Sequence, residues 1–200
     1  MSTPKQTDFP LPLDLPRPAD DGAAKHLEGM RMPEIVLPAT DGKTIDLSKL
    51  TASRTVLYFY PMTGVPGTPL PDGWDLIPGA RGCTTQACNF RDLYSDLCQA
   101  GIRHLFGLST QTPEYQREAV ERLHLPFPLL SDEHLELTRA LRLPTLDIAE
   151  LVLTKRLTLV AHAGRVIHVF YPVFPPDQNA ERTLSWITEN QALLQENDKL

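Results

Sequence analysis

The spacing of apolar side chains divides the chain into an irregular beginning and a regularly patterned remainder. Residues 1–30 carry Pro4, Pro10, Pro12, Pro16 and Pro18 with little periodicity, which predicts an extended, proline-rich arm. Phe9, Leu11, Leu13 and Leu15 alternate there, so the arm is expected to lie along a surface. From Glu34 onward EIVLPATDGKTIDLSKL reads as a short hairpin turning at Asp41-Gly42. TVLYFY (55–60) is continuously apolar and rich in strand formers, the pattern of a strand covered on both faces. The stretch 63–82 is crowded with glycine and proline and predicts a long loop. Ala87, Phe90, Leu93, Tyr94, Leu97 and Cys98 then recur at helical spacing, in one helix ending near Gly101.

IRHLFGLS (102–109) predicts a second covered strand. Thr112-Pro113 marks a helix start that places Tyr115, Ala119, Val120 and Leu123 inward. Asp132 is expected to cap a short helix that ends before Pro144. LTKRLTLVAH and GRVIHVFY form a hairpin around Ala163-Gly164, and an amphipathic helix runs from about Asp177 to Gln195. Early alternation of strands and helices, closed by a hairpin and a helix, predicts an α/β fold: a central mixed sheet flanked by helices, in the order of a thioredoxin-like domain. One such domain is expected over residues 31–195, with 62–80 as an inserted loop.

Length and composition narrow the function classes. Two hundred residues suit one well-cored domain. A net charge of −6 argues against a nucleic-acid binder, and no apolar run approaches a membrane span. The first residues lack the basic and apolar regions of a secretory leader, so a cytoplasmic protein is expected. Three cysteines in that setting read as catalytic, metal-binding or buried residues rather than a disulfide framework. The six histidines show no metal-ligand pairing, and neither a metal nor a cofactor is expected.

Cys83 falls where the loop becomes helix, and Cys88 follows in CTTQAC. Only the thiolate is nucleophilic, and an ordinary thiol of pKa ~8.5 is only slightly ionised at neutral pH. A helix N-terminus supplies part of the required stabilisation and a cation must supply the rest. Arg81, or an arginine from another strand, could be that cation. Residues five apart on an ideal helix are separated by about 8.6 Å between Cα atoms, beyond the ~7 Å reach of a disulfide. If both sulfurs react with one another, the helix start must unwind. Peroxide reduction suits such a pair, although two small helix residues are an equally simple explanation. Cys98, on the apolar face one turn after Tyr94, is expected to be buried packing.

The segment GCTTQACNFRD (82–92) resembles the peroxiredoxins of the bacterioferritin-comigratory, or Q, type, in which two cysteines five apart open a helix. TVLYFYP is similar to the strand that enters the family's active-site loop, with Pro61 as its motif proline. KRLTLV (155–160) is similar to the strand that delivers an arginine to the attacking sulfur, which nominates Arg156. The likeness covers about residues 30–190. It implies a thioredoxin fold and reduction of hydrogen peroxide or organic hydroperoxides. Cys83 would attack, Cys88 would resolve, and a thioredoxin-like protein would regenerate the thiols of a monomer or homodimer.

Two departures stand out. The family's motif, Pro-x-x-x-Thr-x-x-Cys, places cysteine seven residues after proline, whereas Cys83 follows Pro61 by twenty-two. Ala80 stands where that motif has threonine, leaving Thr63, Thr68 and Thr84 as substitute hydroxyls. The insertion carries Trp74 and Ile77, either as a lid over the sulfur or as a surface elaboration packed on the arm. A thiol–disulfide oxidoreductase would normally use Cys-x-x-Cys, which is absent. A redox sensor or binding protein that keeps the fold but turns over weakly, oxidising once, remains the competing class.

Overall fold

The computed structural model describes residues 14–197. A five-stranded sheet in the order β5-β4-β3-β8-β9 forms its centre. These strands are β3 (Thr55–Phe59), β4 (His104–Ser109), β5 (Leu129–Ser131), β8 (Leu157–His162) and β9 (Arg165–Phe170). β3 pairs in parallel with β4 and β4 with β5, while β8 runs antiparallel to both β3 and β9. The opening hairpin, β1 (Val36–Pro38) and β2 (Thr44–Asp46), leads into a single helical turn, α1 (Leu47–Leu50), capped by the Asp46 carboxylate.

Alternation along β3 sorts its side chains into two cores. Leu57 and Phe59 pack with Leu27, Leu47, Leu108 and Leu159 on one face. Val56 and Tyr58 pack on the other with the cysteine-bearing helix α2 (Cys83–Asp92), α4 (Pro113–Leu123) and α6 (Asn179–Glu189). Tyr58 stacks on Phe90 at 4.4 Å. The adjacent strand makes room for that ring only because residue 107 is glycine: a Cβ there would lie 2.4 Å from Tyr58 Cζ.

The expected elements are present with several changes. The predicted cysteine helix is two helices, α2 and α3 (Tyr94–Gln99), separated at Leu93. The break shifts the helical phase, and Cys98, expected in the core, is exposed. The second covered strand, the Thr112 cap and the hairpin at Ala163-Gly164 occur as expected. Asp132 does cap α5 (Glu136–Leu141), reaching the amides of Leu137 and Thr138 at 3.0 and 2.8 Å across a left-handed Leu135. A further small hairpin, β6 (Thr145–Ile148) with β7 (Leu151–Thr154), precedes β8. The last predicted helix is likewise two, α6 and α7 (Gln191–Asn197), divided at Asn190.

The expected boundary at residue 30 divides a segment that the fold keeps together. Ala24, Leu27 and Met32 are buried in the core, and the backbone at 29–32 bonds to Gly164 and to Val166 of β9. The alternating Phe9, Leu11 and Leu13 lie outside the described residues. The inserted loop is neither open nor detached. Trp74, in a single 3-10 turn, is buried with Met62, Ala80 and Leu153, against Leu146 and Ile148 of the β6–β7 hairpin.

Candidate active site

The carboxyl end of β3 is where the site is built. The register pairs Phe59 with Leu157, so Arg156 enters beside Tyr60 and Pro61. Arg156 therefore lies between β7 and β8, one residue before the strand expected to contain it. Pro61 is buried there, directly after Tyr60, whose amide bonds to Leu108 at 3.1 Å. Thr63 is fixed by Gln111, which accepts from its amide at 3.0 Å.

From Thr63 the insertion travels out, packs through Trp74, and returns to α2 through Gly82. Gly82 has φ 97°, a left-handed conformation that glycine adopts without steric penalty. It delivers Cys83 as the first residue of α2, where unpaired amide groups give the helix end a partial positive charge. Cys83 is 4 % exposed; its thiol donates to the Ala80 carbonyl at 3.4 Å.

Arg156 converges on the same point. Its Nη2 lies 3.1 Å from Cys83 Sγ and donates to the carbonyls of Gly79, Ala80 and Arg81 at 3.2, 3.2 and 3.0 Å. Nη1 donates to Gln86 Oε1, and Nε has no hydrogen-bond partner among the described residues. None of these partners is a carboxylate. A guanidinium that is 3 % exposed thus holds its charge against carbonyl dipoles and one sulfur, an arrangement that suits an anion at the sulfur. Arg81, the other candidate cation, points elsewhere: it pairs with Asp75, with Nη2 at 2.7 Å from the carboxylate.

Behind this contact a buried polar chain ties α2 to the start of α6. Gln86 Nε2 donates to Asn179 Oδ1 at 2.8 Å, and that oxygen also accepts from Thr158 at 2.8 Å. Asn89 Oδ1 accepts from the Ala180 amide at 2.6 Å. Cys88 is buried within the same helix, in the cluster that contains Tyr58 and Phe90. Burial pushes the Tyr58 and Tyr60 phenols up, so both are neutral walls near the two cysteines. The helix runs unbroken from Cys83 through Cys88, which is the thiol form's geometry rather than that of a bonded pair.

The structure thus brings Cys83 and Arg156 together and places Cys88 on the same helix. Pro61 closes the end of β3. Of the candidate substitute threonines, Thr63 is engaged by Gln111, Thr68 is exposed and Thr84 is half-buried next to Cys83. Gln86, Asn179 and the carbonyls of 79–81 were not anticipated. Gln86 had a signal, since it lies one turn after Cys83 and so on the same helical face; Asn179 had none.

Comparison with known proteins gives the family. Residues 27–184 match the Redoxin family. Chloroplastic peroxiredoxin Q of Populus jackii is 33% identical over 161 residues, covering 80% of this chain and 68% of that protein. The Sedum lineare peroxiredoxin Q is 31% identical, with coverage of 80% and 77%. The crystal structure of peroxidoxin BcpB from Mycobacterium tuberculosis superposes with a TM-score of 0.65 at 25% identity, covering 81% of this chain and 96% of that one. The chain belongs to the redoxin family, and within it to the peroxiredoxins of the Q type. It is a thioredoxin-fold thiol peroxidase.

Proposed function

We propose that Cys83 is the attacking sulfur, Arg156 its activating cation, Cys88 the resolving thiol and Pro61 a shield at the end of β3. The observation that carries this reading is the 3.1 Å contact between Arg156 Nη2 and Cys83 Sγ at the start of a helix. The thiolate attacks the terminal oxygen of a hydroperoxide. The S–O bond forms as the O–O bond breaks, and the departing alkoxide or hydroxide takes a proton from solvent to leave as alcohol or water. Arg156 and the helix end stabilise the charge as it moves from sulfur to the leaving oxygen.

Resolution follows when Cys88 condenses with the sulfenic acid, releasing water and forming an intramolecular disulfide. Because α2 is intact through both residues, its first turns must unwind before the sulfurs can meet. A thioredoxin-type dithiol then accepts the disulfide and restores both thiols. Every group comes from one chain, so the cycle operates in a monomer or in each half of a homodimer. A cytoplasmic setting with a thioredoxin supply belongs to the same proposal.

The test is peroxide-dependent oxidation of reduced thioredoxin. Continuous turnover that is lost in Cys83→Ser supports the assignment. A single oxidation per chain without turnover favours a redox sensor, the reading that Ala80, in place of a threonine hydroxyl, would support.

A further inference from the structure

Apart from Gln86, the groups that fix the head of Arg156 belong to one short stretch of backbone. Nη2 donates to the carbonyls of Gly79, Ala80 and Arg81 at 3.2, 3.2 and 3.0 Å while lying 3.1 Å from Cys83 Sγ. The Ala80 carbonyl also accepts from the Cys83 thiol at 3.4 Å, so it faces both partners of the activating contact. These are the residues on which the insertion returns to α2, and they belong to no helix or strand. Carbonyls on a loop keep their direction only as well as the loop itself is held.

Trp74 does the holding. Its indole is buried in a cluster with Met62, Ala80 and Leu153, with Leu70, Ile77, Leu146 and Ile148 packed at the edge. The cluster joins the three approaches to the site. Met62 directly follows Pro61 at the end of β3, Leu153 lies on β7 three residues before Arg156, and Ala80 lies three residues before Cys83. At Ala80 the two systems meet, because its methyl enters the cluster and its carbonyl enters the cage. That explains the alanine in place of the motif threonine, whose hydroxyl would be carried into apolar surroundings. Arg81 and Asp75, with Nη2 2.7 Å from the carboxylate, tie the same return to the turn that bears Trp74. An exposed ion pair restrains little by itself, so the buried indole carries the restraint.

We propose that Trp74 is a positioning residue for the activation of Cys83: it anchors the return of the insertion so that the carbonyls of 79–81 hold Arg156 on the sulfur. The proposal rests on Cys83 and Arg156 acting as described above and adds the group that aligns them. The insertion is accordingly a brace behind the arginine, not a lid whose removal frees the sulfur.

The experiment measures the second-order rate of Cys83 oxidation by hydrogen peroxide in a single turnover. It is read by rapid quench and mass spectrometry, so that loss of an indole does not remove the signal. Trp74→Ala is expected to slow oxidation by about 10- to 100-fold, the scale of an ångström-sized misplacement of an activating group. Trp74→Phe keeps an aromatic ring in the cluster and is expected to recover most of the native rate. Leu153→Ala loosens the same cluster from β7 and is also expected to slow oxidation, so a folding defect in one variant leaves the other informative. Each substitution is then repeated in an Arg156→Met background. A group that acts through Arg156 has nothing left to align there, and no further loss is expected. Losses that add in full in that background would overturn the proposal. So would a native rate in both Trp74→Ala and Leu153→Ala, and a faster one would mark the insertion as a lid. A native rate in Arg156→Met alone, or peroxide consumption that survives Cys83→Ser, would instead overturn the underlying assignment.

Discussion

The proposed resolution by Cys88 requires α2 to open, and Asn179 is one of the groups that hold it closed. Its Oδ1 accepts from Gln86 on the first turn of α2 and from Thr158 on β8, each at 2.8 Å and fully buried. Asn179→Ala strands both donors in the closed state. When the helix start unwinds, Gln86 moves to solvent and its penalty disappears, whereas Thr158 remains buried in both states and cancels. The closed form is therefore destabilised relative to the open one by about 1–2 kcal/mol, the cost of one neutral buried hydrogen bond with a stranded partner. The opening equilibrium rises about 5- to 30-fold. The sulfenic acid lifetime, measured by quenched flow with dimedone trapping after one equivalent of peroxide, is expected to shorten by the same factor. Overoxidation of Cys83 in excess peroxide should fall in parallel. Thr158→Val is the control: it lowers global stability but leaves the opening equilibrium alone. Equal sulfenic acid lifetimes in native protein and Asn179→Ala would refute the idea that this contact restrains resolution.

Three further outcomes follow from the geometry. Arg156→Met removes a charge-assisted bond worth about 1.5–3 kcal/mol and should slow single-turnover oxidation by about 10- to 150-fold in stopped flow; an unaltered rate would contradict its role. Trp74→Ala should free the insertion without unfolding the sheet, because Trp74 packs in a satellite cluster apart from the two main cores. Limited proteolysis is then expected to cut first within 62–80, and cleavage elsewhere would count against it. His168 stacks on Trp186 at 4.4 Å and pairs with Glu28 at 3.0 Å. Burial pushes it below the ordinary 6.5, outweighing the opposing pull of Glu28. The unfolded chain therefore binds more protons as pH falls below about 6.5, and stability drops with it. His168→Gln should flatten that acid-side slope in urea midpoints taken on either side of the range, and an unchanged slope would exclude His168 as its source.

Where side-chain pattern and backbone agree, the sequence was readable. TVLYFY is covered on both faces because α2, α4 and α6 pack on one side and the opening hairpin on the other. The Thr112-Pro113 start was legible because a hydroxyl cap and a proline need no tertiary help. The β6–β7 hairpin was not, since its turn uses Ala149 at φ 47°, a position usually marked by glycine or asparagine. Cys98 was misplaced because nothing in DLYSDLC announces the break at Leu93, and one shifted turn carries a side chain from core to solvent. In the site, the cysteine pair and Arg156 were visible through their resemblance to a known motif. The choice of Arg156 over Arg81 depended on Asp75 occupying the nearer arginine, and the carbonyl cage depended on how the insertion returns. Both are tertiary facts.

The most direct test of the central claim is mass mapping of the protein after one equivalent of peroxide. Trypsin cuts after Arg81 and Arg91, so Cys83 and Cys88 share the peptide 82–91, while Cys98 falls on the next one. Peptide 82–91 is expected to appear lighter by two hydrogens and to be restored by reduced thioredoxin. A crosslink from it to the Cys98 peptide, or to a second chain, would contradict the assignment of Cys88 as the resolving thiol.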